Sequence, residues 1–294
     1  MGDQEAGSVR ELRESLIEEI VRAVGLPYTR FWYKIFSTIF WLPTHRLSEV
    51  GSLFDREVAE NGFQSAMRTM QAVFMREVNV LTTAEIPSSG PLLLLANHPG
   101  TYDAVVLASH VPRDDLKIVA SHIPFIEKMR NANRHFFFAT RDTLKRMVVI
   151  KEIVDHLRSG GAVLIFPGGH MEPDPAFMPQ ALDALDDWSK AVEIFVQKVP
   201  QTAVQIGIVS NLLAEKNFKN PLTRLRKNFR DRQRIGEFIQ VIHQMALGKK
   251  YHNIPRLSFT APFYINTVNF DGDQKMLLPF AIQAAKASMQ EHIP

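Results

Sequence analysis

Residues 91–103 read PLLLLANHPGTYD, and this stretch decides the fold because it joins a strand to a helix. The apolar run from Pro91 to Ala96 is typical of a strand that is covered on both faces of a parallel sheet. Residues 104–109 are small or apolar and continue as a helix. Because ligands bind at the carboxyl ends of strands in open α/β sheets, we expect His98 to lie at a site.

The turn between strand and helix can bring His98 and Asp103 together. Pro99 and Gly100 favour a sharp turn, and Thr101 can cap the helix that follows. A carboxylate at the helix start can accept a proton from one ring nitrogen, which leaves the other nitrogen as a base. The spacing alone is common by chance, so a purely structural histidine is the competing interpretation.

A second strand end carries Arg141, which follows the apolar stretch Phe136 to Ala139. The guanidinium would stand near the start of a helix, where backbone N–H groups also favour an anion. A fork of donors at that point suits a phosphate or a carboxylate. A salt bridge between Arg141 and Asp142 is an equally good interpretation of the local sequence.

A third strand end reads FPGGHMEPDP, residues 166–175, and follows the apolar strand of residues 162–166. Gly168 and Gly169 let the backbone approach a substrate or present its N–H groups. His170 or Glu172 can contact a polar acceptor. Three strand ends in succession with polar residues and turn formers indicate one shared site.

Alternating strands and helices from Val78 onward predict an α/β fold with a mainly parallel central sheet and helices on both faces. The 294 residues, 46% of them apolar, suffice for this core. We expect a helical N-terminal region at 1–75, which associates with a membrane, and an α/β domain at 76–294. A closing helix is expected from Gln274 to His292.

The N-terminal region combines an amphipathic helix with an aromatic segment. Ser8 to Glu11 fits a capping box, and residues 31–42 read FWYKIFSTIFWL. Twelve residues are too short to cross a bilayer but suit its interface, where Trp and Tyr settle. Burial against the main domain is the alternative. Without a secretory signal or a spanning segment, we expect a peripheral protein on the cytoplasmic side of a membrane.

Residues 216–250 hold ten Lys or Arg against two acids, Asp231 and Glu237, within a chain of net charge +3. This basic stretch can attract anionic lipid, hold the phosphates of a nucleotide carrier, or form a solvated helix face. Nucleic acid is not expected, because the patch is single and carries no binding motif. The sequence does not define an oligomeric state.

The sequence lacks the residues that several classes of reaction require. The chain has no cysteine, which excludes a thiol nucleophile and a thiolate metal site. Neither a G-x-S-x-G elbow nor a Walker A or G-x-G-x-x-G sequence occurs. A metal-dependent hydrolase using His98 and Asp103 remains conceivable, although no compact pair such as H-x3-H is present. Without a nucleophile to activate, His98 would deprotonate a substrate hydroxyl directly.

At these residues the chain resembles the glycerolipid acyltransferase superfamily, over about residues 76–210. NHPGTYD resembles the family's N-H-x4-D block, and Arg141 resembles the second-block arginine associated with the acceptor phosphate. Phe166 to Gly169 resembles the third block, usually F-P-E-G, and Val199-Pro200 resembles the fourth. The resemblance assigns catalysis to His98 and Asp103.

The same resemblance implies substrate contacts at Asn97, Arg141, Gly168, Gly169 and Glu172. No metal or bound cofactor is needed, since acyl-CoA or acyl-carrier protein is a co-substrate.

The third block departs from the family because Gly168 stands where the glutamate is usual, and Glu172 follows four positions later. P-G-G-x-x-E resembles the monoacylglycerol/diacylglycerol acyltransferase-like branch, so a neutral lipid alcohol becomes a possible acceptor. The resemblance implies that His98 deprotonates the acceptor hydroxyl, whose oxygen attacks the acyl thioester. The oxyanion can be stabilised by N–H groups near Gly168 and Gly169. A non-catalytic lipid-binding protein on this fold is the alternative.

Overall fold

A sheet of eight strands organises the computed structural model, which describes residues 2–265 and 277–293. The strands are β1 (Asn79–Thr83), β2 (Leu92–Ala96), β3 (Lys117–Ser121), β4 (Phe136–Ala139), β5 (Ala162–Ile165), β6 (Ala203–Ser210), β7 (Arg256–Phe259) and β8 (Phe263–Tyr264). They run in the order β1-β7-β6-β2-β5-β3-β4, and β8 pairs with β6. Only the pairings of β6 with β7 and with β8 are antiparallel among the described strands. The predicted mainly parallel α/β sheet is therefore confirmed.

Strand β2 lies at the centre of the sheet, between β5 and β6. Leu92 and Leu94 pack into the apolar cluster on one face, and Leu93 and Leu95 pack into the cluster on the other. All four leucines are fully buried, and each such side chain contributes about 1.5–3 kcal/mol by leaving water. This burial on both faces fixes the position at which the chain leaves the strand toward His98.

Four helices precede the sheet: α1 (Gly2–Ala23), α2 (Arg30–Ile39), α3 (Trp41–Asn61) and α4 (Phe63–Phe74). The predicted capping box at Ser8 is wrong, because α1 already begins at Gly2 and Ser8 lies inside it. Leu12, Ile17 and Val21 are buried, so the apolar face of α1 is used inside the protein.

Helix α2 contains no buried residue, unlike its neighbours. Phe31 is exposed to 64% and Ile39 to 66%, whereas the remaining aromatic and aliphatic side chains of the helix are half-buried. Arg13 of α1 donates to the carbonyl of Ser37 at 3.0 Å and ties the two helices together. The alternative of a buried aromatic helix is therefore wrong for α2.

The helices between and after the strands are α5 (Asp103–His110), α6 (Pro124–Glu127), α7 (Thr143–Arg158), α8 (Ala181–Ala184), α9 (Ala191–Lys198), α10 (Glu215–Phe218), α11 (Phe229–Leu247) and α12 (Leu277–His292). The sequence predicts one helix over 182–198, but a 3₁₀ turn and an extended Trp188 separate α8 from α9. Of the predicted closing helix, residues 274–276 lie outside the described residues.

The division into domains at residue 75 stays a prediction. Phe63 of α4 and Phe54 of α3 belong to the same buried cluster as β2 and α5. In the described ranges, no helix has the length and apolar character needed to cross a bilayer.

Candidate active site

The turn after β2 brings His98 and Asp103 into contact. A hydrogen bond of 2.5 Å joins Nδ1 of His98 to Oδ2 of Asp103. The Asp103 side chain is 1% exposed, whereas that of His98 is 30% exposed. Since an ionised carboxylate only accepts, Nδ1 carries the proton and Nε2 is the nitrogen available to a substrate.

Backbone groups of the same turn hold the carboxylate. Gly100 N–H donates to Oδ2 of Asp103 at 3.2 Å, and Ala104 N–H donates to Oδ1 at 2.6 Å. Asp103 is the first residue of α5, where N–H groups are unpaired and negative charge is favoured. Thr101 was predicted to cap this helix, and that prediction is wrong: Tyr102 precedes α5, without a side-chain cap.

The third strand end joins the first through both backbone and side chains. Glu172 N–H donates to the carbonyl oxygen of His98 at 2.7 Å. The Phe166 ring stacks on the His98 imidazole with centroids 4.6 Å apart. Phe166 thus limits the rotation of the imidazole, and the two predicted strand ends form one site.

Glu172 lies under the site and not in its opening. Its side chain is 1% exposed. Oε1 accepts from Trp188 Nε1 at 3.0 Å, and Oε2 accepts from His98 N–H at 3.3 Å. The predicted direct contact of Glu172 with an acceptor finds no support in this geometry, because its oxygens are engaged by protein groups.

Gly168 is required by this arrangement. A Cβ at position 168 would collide with Oε1 of Glu172. Gly169 adopts a positive φ of 64°, and its N–H donates to the carbonyl of Phe166 at 3.0 Å. The N–H of Gly169 is therefore engaged within the turn and is not offered to an oxyanion.

Asn97, expected to contact substrate, is structural. Its Nδ2 donates to the carbonyl of Val209 at 2.9 Å, and its Oδ1 accepts from Val209 N–H at 2.8 Å. The side chain is completely buried. The amide thus extends the pairing of β2 with β6 beyond the strand end.

Arg141 stands apart from His98. It follows β4 at the edge of the sheet, and β5 and β3 lie between β4 and β2. Three strand spacings correspond to about 14 Å. Arg141 is exposed, and the Asp142 carboxylate accepts from Lys145 N–H at 2.9 Å as the cap of α7. The structure therefore does not bring Arg141 into contact with the other predicted site residues.

Helix α11 supplies residues that the sequence did not identify. Gln233 Nε2 donates to the carbonyls of Pro99 at 2.5 Å and Glu172 at 3.0 Å. Thr101 Oγ1 donates to Oε2 of Glu237 at 2.6 Å. The available signal was the polar spacing of Gln233, Glu237, Gln240 and Gln244 on one helix face, all of them buried.

These contacts set the charges of the site. Burial alone would lower the pKa of His98, but the charge and hydrogen bond of Asp103, with Glu237 and Glu172, raise the pKa to about 9. Burial raises the pKa of Glu172 to about 7. Burial likewise raises the pKa of Glu237 to about 8. The imidazole of His98 thus lies near two buried carboxyl groups, Glu172 and Glu237, that ionise less readily than usual.

No ligand set for a metal ion is present in the described part of the chain, where no three His, Asp or Glu side chains converge suitably.

Comparison with known proteins adds a family assignment to this geometry. Residues 77–196 match the family model described as Acyltransferase. No curated protein matches the chain significantly. A crystal structure of the 1-acyl-sn-glycerophosphate (LPA) acyltransferase PlsC from Thermotoga maritima is similar over 96% of both chains, with 15% identity and a TM-score of 0.45. At that identity and score, this likeness carries no argument about the reaction.

The strand-turn-helix with its histidine, the third strand end and the family match together define an acyltransferase, an enzyme that transfers acyl groups. The matched residues include both His98 and Glu172. The family match over this region agrees with the motifs, which resemble those of the glycerolipid acyltransferase superfamily.

Proposed function

We propose that this chain transfers a fatty acyl group from an acyl thioester to the hydroxyl of a glycerolipid or related lipid alcohol. The observation that carries the proposal is the hydrogen bond of 2.5 Å between Nδ1 of His98 and Asp103. It fixes the ring and its tautomer, so that Nε2 can accept a proton. Acyl-CoA or acyl-carrier protein supplies the thioester.

The reaction balances with His98 as the only proton carrier. Nε2 takes the proton of the acceptor hydroxyl, and the oxygen attacks the thioester carbonyl carbon. The carbon–sulfur bond of the tetrahedral intermediate then breaks, and the departing thiolate takes the proton from the imidazolium. Asp103 stabilises that imidazolium, and general base catalysis of this kind contributes about 10²–10⁴-fold.

The third strand end and the position of Arg141 support one class of acceptor over another. Gly168 replaces the glutamate usual in the family, and Glu172 is turned inward to Trp188 and the His98 backbone. Arg141 follows β4 at the sheet edge, and β4 lies about 14 Å from β2, the strand that precedes His98. Two strands, β5 and β3, therefore separate the strand end that carries Arg141 from the one that carries the base. This favours a neutral lipid alcohol, or a role of Arg141 toward a distant part of either substrate.

Within the predicted membrane-binding residues 8–42, helix α2 supports binding to a membrane surface, as does the basic stretch 216–250. Helix α2 has no buried residue, and its Phe31 and Ile39 are exposed. In the basic stretch, Leu222 and Leu225 are exposed to 57% and 78%, among Arg224, Arg226 and Lys227. Apolar side chains flanked by cations suit an interface of anionic lipid. We place the protein peripherally, on the cytoplasmic side.

Release of free CoA from acyl-CoA, measured with and without an acceptor, tests the proposal. The acceptor panel comprises lysophospholipids, monoacylglycerol, diacylglycerol and glycerol 3-phosphate. We expect acceptor-dependent release by the wild-type chain and a loss of about 10²–10⁴-fold in His98→Ala. Undiminished transfer by a folded His98→Ala protein would refute the mechanism. Lipid binding without any turnover would favour the non-catalytic alternative.

A further inference from the structure

We propose that helix α11 belongs to the catalytic machinery, with Gln233 and Glu237 as positioning residues that hold the turn carrying His98. The inference rests on the proposed function, since it assigns these residues to the same reaction. Both side chains come from outside residues 77–196, the stretch that matches the family model. It also gives these two residues of the basic stretch a role other than the attraction of lipid.

Gln233 joins the two loops that form the site. Its side chain is fully buried. One amide nitrogen donates to the carbonyl of Pro99, next to His98, and to the carbonyl of Glu172, at 2.5 and 3.0 Å. A single side chain thus sets the separation of the first and third strand ends. A shift of either loop by about 1 Å would break one bond, and displacements of that size cost up to about 10²-fold in rate.

Glu237 supports the turn between His98 and Asp103. Its carboxyl accepts from Thr101 Oγ1 at 2.6 Å. Its other oxygen packs on the backbone, because a Cβ at Gly100 would lie 2.6 Å from Oε1. Gly100 in turn donates to Asp103 at 3.2 Å. Glu237 therefore supports Asp103 indirectly. Its carboxyl group packs on Gly100, and the backbone N–H of Gly100 donates to Asp103.

The charge of Glu237 matters as well as its position. Asp103, His98 and Asp174 are the charged groups that act on it, and Tyr102 lies beside it. Burial raises the pKa of Glu237 to about 8, so the carboxyl is largely uncharged at neutral pH. The uncharged acid supports the turn without adding a second anion beside Asp103. Ionised Glu237 would favour the imidazolium form of His98 further and leave less of the ring as the neutral base.

The same helix face contains a matched control. Gln240 is also buried, but it bonds Ala214 N–H at 2.9 Å, Asn217 Nδ2 at 3.1 Å and the carbonyl of Leu212 at 2.9 Å. These partners lie outside the catalytic turn. A substitution at Gln240 therefore reports what loss of a buried polar contact on α11 does without touching His98.

Five variants of the full chain test the proposal. We expect Glu237→Ala and Gln233→Leu to lower kcat by about 10- to 100-fold with little change in KM. Glu237→Gln, which mimics the uncharged acid, should lower kcat less than Glu237→Ala does at neutral pH. Gln240→Ala should lower the melting temperature without lowering kcat. Thr101→Val removes the hydroxyl that donates to Glu237 and changes an exposed residue. It should lower kcat as Glu237→Ala does, and it tests the same contact if Glu237→Ala folds poorly.

An NMR titration of the imidazole of His98 gives a readout independent of activity. The resonance is assigned by its absence in His98→Gln. We expect a lower pKa of His98 in Glu237→Gln than in wild type, and no change in Gln240→Ala. If wild type transfers no acyl group but this shift appears, the proposed function fails and the positional link stands.

Unchanged kcat in both Glu237→Ala and Thr101→Val would overturn the role of Glu237. An inactive Glu237→Gln beside an active wild type would show that the charge, and not the uncharged acid, is needed. An unchanged His98 titration in Glu237→Gln would overturn the electrostatic link. If the kcat of Gln233→Leu is no lower than that of Gln240→Ala, Gln233 has a structural role only and does not position the catalytic turn.

Discussion

The carboxylate of Glu172 fills the space that a side chain on Gly168 would occupy. From there it accepts from Trp188 and from the backbone N–H of His98, at 3.0 and 3.3 Å. The two departures from the usual third block are therefore coupled: the glycine makes room, and the later glutamate uses it. The pair thus places a carboxyl group next to the backbone of His98, although the glutamate usual at position 168 is absent.

This coupling predicts a specific non-additivity. Gly168→Ala should lower the free energy of unfolding by about 1–3 kcal/mol, because its methyl group meets the buried carboxylate. Adding Glu172→Ala to Gly168→Ala should recover part of that loss, since the colliding oxygen is gone. Urea unfolding of the four proteins in a double-mutant cycle measures the interaction. Strictly additive free energies would contradict the contact.

The rate of acyl transfer should rise with pH from 6 toward 9. The raised pKa of His98, about 9, keeps the imidazole protonated at neutral pH, and only the neutral ring can accept a proton. A profile of kcat/KM against pH reports this group in the free enzyme. A plateau already reached at pH 7 would show that another group, or a much less perturbed histidine, controls the reaction.

Asp103→Asn should lower kcat and shift the pH profile together. The amide removes the charge and the hydrogen bond that favour imidazolium, so the pKa of His98 falls. It also loses control of the tautomer, and we expect kcat to fall by about 10²–10⁴-fold. Steady-state kinetics from pH 6 to 10 separate the effects. A profile shifted to lower pH with full kcat would limit Asp103 to tuning the base.

Thermal stability should fall between pH 6 and pH 9. The folded chain holds protons on Glu172 and Glu237 up to about pH 7 and 8, and on His98 up to about pH 9. The unfolded chain releases these protons at lower pH, so stability decreases as pH rises through this window. Calorimetry of wild type and Glu237→Gln checks the sign, since the variant should show a shallower decline.

Exposed apolar residues on α2 should matter for vesicle binding and little for folding. Phe31→Ser with Ile39→Ser removes two side chains exposed to 64% and 66%, so unfolding should change by no more than about 0.5 kcal/mol. Sedimentation with anionic vesicles should show weaker binding. Ile194→Ser, at a residue of α9 exposed to 38%, is the control. Equal binding by all three proteins would exclude α2 as the membrane contact.

The sequence predicts the sheet well because its strands are short apolar runs between strong turn formers. Leu92 to Leu95 needs burial on both faces, and a parallel sheet provides it. Helix boundaries were less accurate where tertiary contacts decide them. Ser8 lies inside α1, and Trp188 interrupts the predicted helix so that its indole can reach Glu172.

The part of the candidate site that lies within one turn could be predicted from the sequence. His98 and Asp103 are close in sequence, and their contact follows from the turn. Gln233 and Glu237 lie more than a hundred residues away, within a stretch whose cations suggested a surface. The sequence of α11 does not distinguish its buried polar face from its basic face, because the packing of α11 on the turn decides which residues are buried. The burial of Asn97 and the distance of Arg141 likewise depend on strand order.

Strand β1 can form its pairing with another strand only late in synthesis. It lies at the edge of the sheet and pairs with β7, and Thr82 reaches Phe259 across 177 positions of the chain. At ribosomal rates of 5–20 residues per second, its partner emerges about 10 to 35 seconds afterwards. During that interval the nascent chain presents an unpaired β edge, which is open to chaperones and to pairing with other chains.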